Sequence, residues 1–82
     1  MPSADRIRHT LLQLAAERGS ESTFCPSEAA RSLGGDWRPL MDRVRQEAAK
    51  LVDAGQLVCT QRGHAAHPLT AKGPIRLALP KS

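Results

Sequence analysis

Aromatic side chains are nearly absent from this 82-residue chain, which has one Phe, one Trp and no Tyr. Phe24 and Trp37 cannot fill a core by themselves, so the core must consist of Leu, Ile, Val and Ala. That composition suits packed helices with a small sheet. A chain of this length forms a single domain, residues 1–82, which buries only about 60% of the surface that the unfolded chain exposes.

Long apolar runs are absent as well, because no segment approaches the roughly 18 residues that a membrane span requires. The first residues, Met1 to Arg6, contain no apolar stretch of the kind found in signal peptides. We therefore expect a cytoplasmic protein without a membrane partner, whose two cysteines stay reduced.

Acidic residues are absent from the last third of the chain. Residues 1–55 contain eight Lys or Arg and eight Asp or Glu, whereas residues 56–82 contain four basic residues and no acidic ones. The whole net charge of +4 therefore lies in Arg62, Lys72, Arg76 and Lys81. This asymmetry predicts an anionic partner for the last third. The alternative is that dispersed charges only keep a small domain soluble.

Motifs that carry catalytic chemistry are missing too. The sequence has no glycine-rich phosphate loop, no Cys-x-x-Cys pair and no paired acid motif. Two cysteines and two histidines could supply zinc ligands, but their spacing argues against a site, and Cys59 fits an inward strand position. Cys25 lies near a helix N-terminus yet has no partner base. We expect no enzyme activity, no metal, no cofactor and no small-molecule ligand.

The longest helical pattern runs over residues 36–55. Asp36 is placed to cap its first turn, Pro39 lies within that turn, and Gly55 follows the last periodic residue. Apolar residues recur at spacings of three and four, at positions 37, 40, 41, 44, 48, 51 and 52. Trp37 lies within this stripe, which favours core packing over the alternative of an exposed anchor for a partner.

The other patterns complete the order of elements. They predict a helix between Ser3 and Gly19, a short strand at 23–25, a helix at 26–33, a strand at 56–61, a long loop at 62–73, a strand at 74–79 and a flexible tail at 80–82. This order predicts an α+β, mainly α, winged helix-turn-helix fold. Its three helices pack with a small antiparallel sheet, and the loop at 62–73 forms the wing.

Five segments also resemble a known family: Phe24–Arg31, Asp36–Met41, Val44–Arg45, Thr60–Gly63 and Gly73–Leu77. They are similar to a family of small bacterial proteins catalogued as a domain of unknown function. The similarity extends roughly from Ile7 to Leu79. It implies a winged-helix fold, and it brings no established activity, ligand or site.

In winged helices, the second helix of the helix-turn-helix often enters the DNA major groove. Arg and Gln suit the edges of guanine and adenine, and the predicted groove-facing set is Arg38, Arg45, Gln46 and Lys50. The alternative is a solvated face that pairs with itself. Arg38 and Asp42, like Arg43 and Glu47, stand four residues apart and could form ion pairs within the helix.

The wing is the stronger electrostatic candidate. Arg62 and Lys72 have no acidic neighbour in sequence, and we predict that they contact backbone phosphates. The alternative is a loop whose charges protect a sheet edge from aggregation. Arg76 should point outward from its strand, with pairing to a carboxylate of a neighbouring element as its other role.

Two functions remain open at this point. The first is duplex DNA binding in a regulatory role, which for a lone small domain would require self-association or a partner. The second is a protein-interaction module that keeps the winged-helix frame without binding DNA. The nearly neutral long helix favours the second function, and the basic wing favours the first.

Overall fold

The computed structural model describes residues 2–81, and the predicted fold class is confirmed. Three helices pack with a three-stranded antiparallel sheet in a winged-helix-like layout. In chain order the elements are α1 (Ala4–Arg18), α2 (Pro26–Ser32), a 3-10 turn (Arg38–Leu40), α3 (Met41–Asp53), β1 (Val58–Gln61), β2 (His64–Ala65) and β3 (Arg76–Ala78). None of the helices in residues 2–81 is long and apolar enough to span a membrane.

The first two helices begin where the capping residues predicted. The Ser3 hydroxyl accepts a hydrogen bond from the Arg6 amide at 3.1 Å, which satisfies one of the free N–H groups of the first turn of α1. Pro26 opens α2, and the Glu28 carboxylate accepts a hydrogen bond from the Cys25 amide at 2.9 Å. Gly19 ends α1 with a φ of +76°.

The start of the third helix differs from its prediction. Within the described part of the chain Asp36 makes no capping bond, and residues 38–40 form a 3-10 turn in which the Leu40 amide donates to the Trp37 carbonyl at 3.0 Å. Pro39 lies among the first positions of this turn, where its missing N–H costs no hydrogen bond. The regular helix therefore starts at Met41.

The end of α3 follows its prediction. Gly55 has a φ of +76° and donates to the Val52 carbonyl at 3.0 Å, while the Gln56 amide donates to the Leu51 carbonyl at 2.8 Å. These two bonds form a Schellman motif, which turns the chain sharply toward the sheet.

The sheet has the order β2-β1-β3, and both pairs are antiparallel. Phe24 adds one rung at the outer edge of β3, where Phe24 and Leu77 exchange two backbone hydrogen bonds of 2.8 Å. The predicted short strand is thus a single bridge. Its Phe24 side chain is fully buried in a core with residues such as Ile7, Leu11, Val44 and Leu57.

The predicted long loop at 62–73 has more structure than its sequence indicated. Arg62 and Gly63 form a two-residue turn between β1 and β2, with φ of +53° and +82°. We call residues 62–63 the wing tip and residues 66–73 the return segment, which leads back to β3. In the predicted tail, Lys81 lies 3.6 Å from the Glu21 carboxylate, and Ser82 is outside the described residues.

Candidate nucleic-acid interface

The outer stripe of α3 carries little positive charge. Its exposed residues, one turn apart, are Asp42, Gln46, Lys50 and Asp53. The only cation among them, Lys50, lies 3.1 Å from the Glu47 carboxylate. Of the predicted groove-facing residues, Gln46 and Lys50 are therefore placed outward, but beside two carboxylates that repel phosphate.

Arg45 has a role that the sequence did not reveal. Its guanidinium donates to the carbonyls of Pro68 at 3.1 Å, Ala71 at 2.9 Å and Gly73 at 2.6 Å. Three of its five N–H donors are used in this way. Arg45 thus fastens the return segment to α3, and we call this contact the Arg45 latch.

The return segment covers one side of α3. His67 Nε2 lies 3.1 Å from Asp53 Oδ1, two turns beyond Arg45, and Pro68 is fully buried. Ala49 lies between these contacts on the same row of the helix and is only 2% exposed. The part of α3 that remains open to a partner is accordingly narrower than the sequence predicted.

Arg43 and Glu47, which the alternative interpretation pairs within the long helix, have other partners. Arg43 donates to the Pro2 carbonyl at 2.8 Å, and Glu47 pairs with Lys50 and, at 2.7 Å, with Arg8 of α1. Glu47 is 5% exposed because it faces α1 rather than solvent. Burial acts to raise the pKa of Glu47, but hydrogen bonds and charges from Lys50 and Arg8 outweigh it and hold that pKa below the usual value.

Arg38 stacks on an aromatic ring instead of pairing with Asp42. Its guanidinium carbon lies 4.9 Å from the centre of the Trp37 ring, and the guanidinium carbon of Arg31, on α2, lies 4.8 Å from the same ring. The core-packing prediction for Trp37 is confirmed in part, because its half-buried side chain packs against the core while carrying two cations.

At the wing, Arg62 and Lys72 are both exposed and have no ion-pair partner within residues 2–81. The side-chain amide of Gln61 donates from Nε2 to the backbone carbonyls of Lys72 and, at 3.1 Å, Pro74. Gln61 precedes Arg62 in sequence, and its side chain bonds to the backbone of Lys72. The two cations therefore lie on segments that are hydrogen-bonded to each other at one end of the sheet.

The other two cations of the last third, Arg76 and Lys81, contact the segment between α1 and α2. Arg76 donates to the Thr23 hydroxyl at 2.9 Å and to the Thr23 carbonyl at 3.1 Å, not to a carboxylate. Glu28 nearby is paired with Arg18. The hydrogen bond from the Cys25 backbone amide is the largest cause that lowers the pKa of Glu28. Desolvation acts to raise this pKa, but the hydrogen bond and charge of Arg18 lower it further. Arg62 and Lys72 are therefore the cations of this third that remain open to a partner.

The cysteines and histidines do not come together. Cys59 is buried in β1, and its burial raises the pKa of its thiol. Cys25 contacts the Ser27 hydroxyl at 3.0 Å, and His67 contacts Asp53. Within residues 2–81, no cluster of three or more His, Cys, Asp or Glu is placed to hold a metal ion.

Comparison with known proteins identifies the family. The model of a family described as a protein of unknown function (DUF3253) matches residues 4–80, and the chain belongs to this family. No curated protein matches the chain.

Proposed function

We propose that this chain is a cytoplasmic, non-enzymatic domain that binds duplex DNA, with Arg62 and Lys72 of the wing on backbone phosphates. The observation that carries this proposal is the backbone conformation of Arg62. Among residues 2–81 it is the only residue other than glycine with a positive φ, at +53°.

Two-residue hairpin turns with positive φ at both positions favour Asn, Asp or Gly at the first position. An L-residue with a large side chain costs roughly 1–2 kcal/mol in left-handed geometry. Arg62 makes no hydrogen bond or ion pair within residues 2–81 that would offset this cost. A residue kept in an unfavourable conformation without a structural contact supports a role toward a partner, and a guanidinium favours an anionic one.

Lys72 supports the same partner. The Gln61 side chain bonds to its backbone carbonyl, so the segments that carry Arg62 and Lys72 are held together. Backbone phosphates of a duplex present an anionic row that separate cations can contact together.

The α3 helix supports backbone binding more than base reading. Of the predicted groove-facing residues, Arg45 is used in the latch, Lys50 is paired with Glu47 and Arg38 lies over the Trp37 ring before the regular helix begins, which leaves Gln46 as the outward base-reading candidate on α3. Phosphate contacts position a protein on DNA, whereas base contacts specify sequence. We therefore expect binding with weak sequence preference.

The decisive variant is Arg62→Asn, because stability and binding should change in opposite directions. Asn suits the left-handed turn, so the free energy of unfolding should rise by about 0.5–1 kcal/mol. Loss of one phosphate contact should weaken binding to a labelled 20-bp duplex about tenfold at 50 mM salt. It should also make the slope of log K against log salt shallower by about 0.9. Urea unfolding and fluorescence anisotropy measure these two quantities.

Lys81→Ala is the matched control, because it removes one positive charge that lies beside Glu21 and outside the wing. This variant should leave the salt slope unchanged. If the unaltered protein fails to bind the duplex at tens of micromolar and low salt, the DNA proposal is wrong. If Arg62→Asn binds with an unchanged slope, the assignment of Arg62 is wrong.

The outer stripe of α3 favours a second candidate, a protein-interaction module. Two carboxylates and one paired lysine make this stripe unsuited to phosphate, and Leu69 of the return segment is 58% exposed. Leu69 belongs to the segment that the Arg45 latch holds, so its exposed side chain is presented on a fastened loop and is available for an apolar contact with a protein. Concentration-dependent sedimentation of the protein alone would reveal self-association, and substitution of Leu69 by Ser should abolish it.

A further inference from the structure

We infer that Arg31 and Arg38, stacked on Trp37, form a second phosphate-contact site of the proposed DNA interface, at the turn between α2 and α3. This inference rests on the proposed DNA binding and adds to it a site outside the wing. Arg31 was not among the residues that the sequence indicated.

The stack leaves the donors of both arginines available. A guanidinium that lies over an aromatic ring uses its π face for the cation–π contact, and its N–H groups remain in the plane around its edge. Within residues 2–81, neither Arg31 nor Arg38 forms an ion pair or a side-chain hydrogen bond. Both side chains belong to exposed residues, so the free edges are open to solvent.

The stack also prepares the two side chains for binding. An arginine normally loses rotamer freedom when it binds an anion, and a stacked guanidinium has already lost part of it. Trp37 is itself held, because its half-buried ring packs against the core and because it begins the 3-10 turn. The Trp37 ring is thus fixed by the fold, and it in turn positions the guanidinium groups of Arg31 and Arg38.

The position of the stack fits a duplex backbone. Arg31 lies in the last turn of the first helix of the helix-turn-helix, and Arg38 at the entry to the second. In this motif the first helix crosses the backbone and the second enters the groove, so the turn lies over phosphates. Guanidinium groups match phosphate oxygens with two parallel hydrogen bonds.

The stack and the wing are linked through the third helix. Arg38 lies in the 3-10 turn that leads into α3, and Arg45 lies in the second turn of α3 itself. Arg45 holds the return segment that contains Lys72. The inference accordingly requires a single duplex to contact the stack and the wing together.

The sole Trp of the chain makes the inference testable without modifying the site. A mixed-sequence 20-bp duplex is titrated into the full chain at several salt concentrations. Label anisotropy measures the affinity, and Trp37 emission reports occupancy of the stack. With four phosphate contacts the slope of log K against log salt should be about −3.6. Trp37 emission should change with the same midpoint as the anisotropy.

Two substitutions at one position separate charge from geometry. Arg31→Ala should make the slope shallower by about 0.9 and lower the affinity about tenfold at 50 mM salt. Arg31→Lys keeps the charge but loses the planar fork, so its slope should stay unchanged while its affinity falls to an intermediate value. Lys81→Ala again controls for net charge. Far-UV circular dichroism checks that each variant is folded.

The outcomes distinguish this inference from the proposed function. If the duplex binds, if Arg62→Asn changes the slope, and if Arg31→Ala and Trp37 emission show no response, the second site is wrong while the wing proposal stands. If no duplex binds at low salt, both are wrong. If poly-glutamate changes Trp37 emission as strongly as the duplex and with equal salt dependence, the stack is a site for acidic polypeptide and the phosphate assignment is overturned.

Discussion

The helical body, which comprises α1, α2 and α3, and the wing at residues 62–73 satisfy their polar groups in different ways. In the body, carboxylates and cations meet directly: Glu47 lies between Arg8 and Lys50, and Glu28 pairs with Arg18. The return segment of the wing contains no carboxylate, and a single arginine of the body holds it by three backbone carbonyls.

This difference determines which charges remain for a partner. An ion pair occupies a cation and an anion together. The Arg45 latch instead bonds to backbone carbonyls, so it leaves Arg62 and Lys72 of the wing available to a partner. A wing that was fastened by its own Arg62 or Lys72 would have lost the charges that we propose for binding. Substitution of Arg45 is therefore the strongest test of this difference between the body and the wing.

Removal of the latch should have the largest effect. Arg45→Ala leaves three carbonyls without their charged donor, and we expect the free energy of unfolding to fall by about 3 kcal/mol. The loss should be local at first. Amide exchange at Ala71, whose N–H donates to the His67 carbonyl at 2.9 Å, should become much faster than exchange in α1. Urea unfolding and hydrogen exchange measure the two effects.

Gln46→Ala is the matched control for the latch, because Gln46 is the next residue on α3 and is exposed. It should change the stability by less than about 0.5 kcal/mol. Arg45→Lys keeps the charge but cannot reach three carbonyls with a planar fork, so it should recover only part of the loss. Equal stability of Arg45→Ala and Gln46→Ala would show that the return segment packs without the latch.

The body's ion pairs should matter less and should depend on pH. Glu47→Gln removes the charge that Arg8 and Lys50 share, and we expect a loss of about 1–2 kcal/mol at pH 7. That value is modest because Arg8 and Lys50 are partly exposed. Since the pKa of Glu47 is lowered from 4.5 in the folded state, its contribution is complete above pH 4.5 and disappears as the pH falls through the folded pKa.

The difference in stability between the unaltered protein and Glu47→Gln should therefore shrink below pH 4.5, and urea unfolding at pH 7 and pH 3 measures it. Asp42→Asn, an exposed carboxylate of the same helix, is the control and should show little difference at either pH. A Glu47→Gln defect that persisted undiminished at pH 3 would mean that packing, not charge, explains the loss.

The sequence was sufficient where a local rule applied. Ser3, Pro26, Glu28 and Gly55 mark helix ends through interactions with residues a few positions away, and all four are confirmed. Asp36 failed as a cap, and residues 38–40 form a 3-10 turn in place of the first turn of an α-helix. Periodicity places apolar residues on a face, but it does not resolve a competition between two local preferences.

The candidate site depended on contacts that no local rule contains. Arg45 reaches residues 23 to 28 positions away, and Glu47 selects Arg8 over Arg43 because α1 packs on that side of α3. The spacing of four residues between Arg43 and Glu47 permits a pair without requiring one. The adjacent Trp37 and Arg38 were a usable signal for the stack, but Arg31 joins it only through the turn at residues 34–35.

The smallest prediction concerns Asp53, the one carboxylate of the body that pairs with the wing within residues 2–81. Asp53 Oδ1 lies 3.1 Å from His67 Nε2, and both side chains are partly exposed, at 69% and 33%. An exposed contact of this kind contributes little because water and salt screen it, so Asp53→Asn should cost less than about 0.5 kcal/mol. Amide exchange at Ala71 should hardly change. The combined variant Arg45→Ala with Asp53→Asn should then be about as unstable as Arg45→Ala alone. If Asp53→Asn instead loosens the return segment as much as Arg45→Ala does, the wing is held by a carboxylate after all, and the contrast between body and wing does not hold.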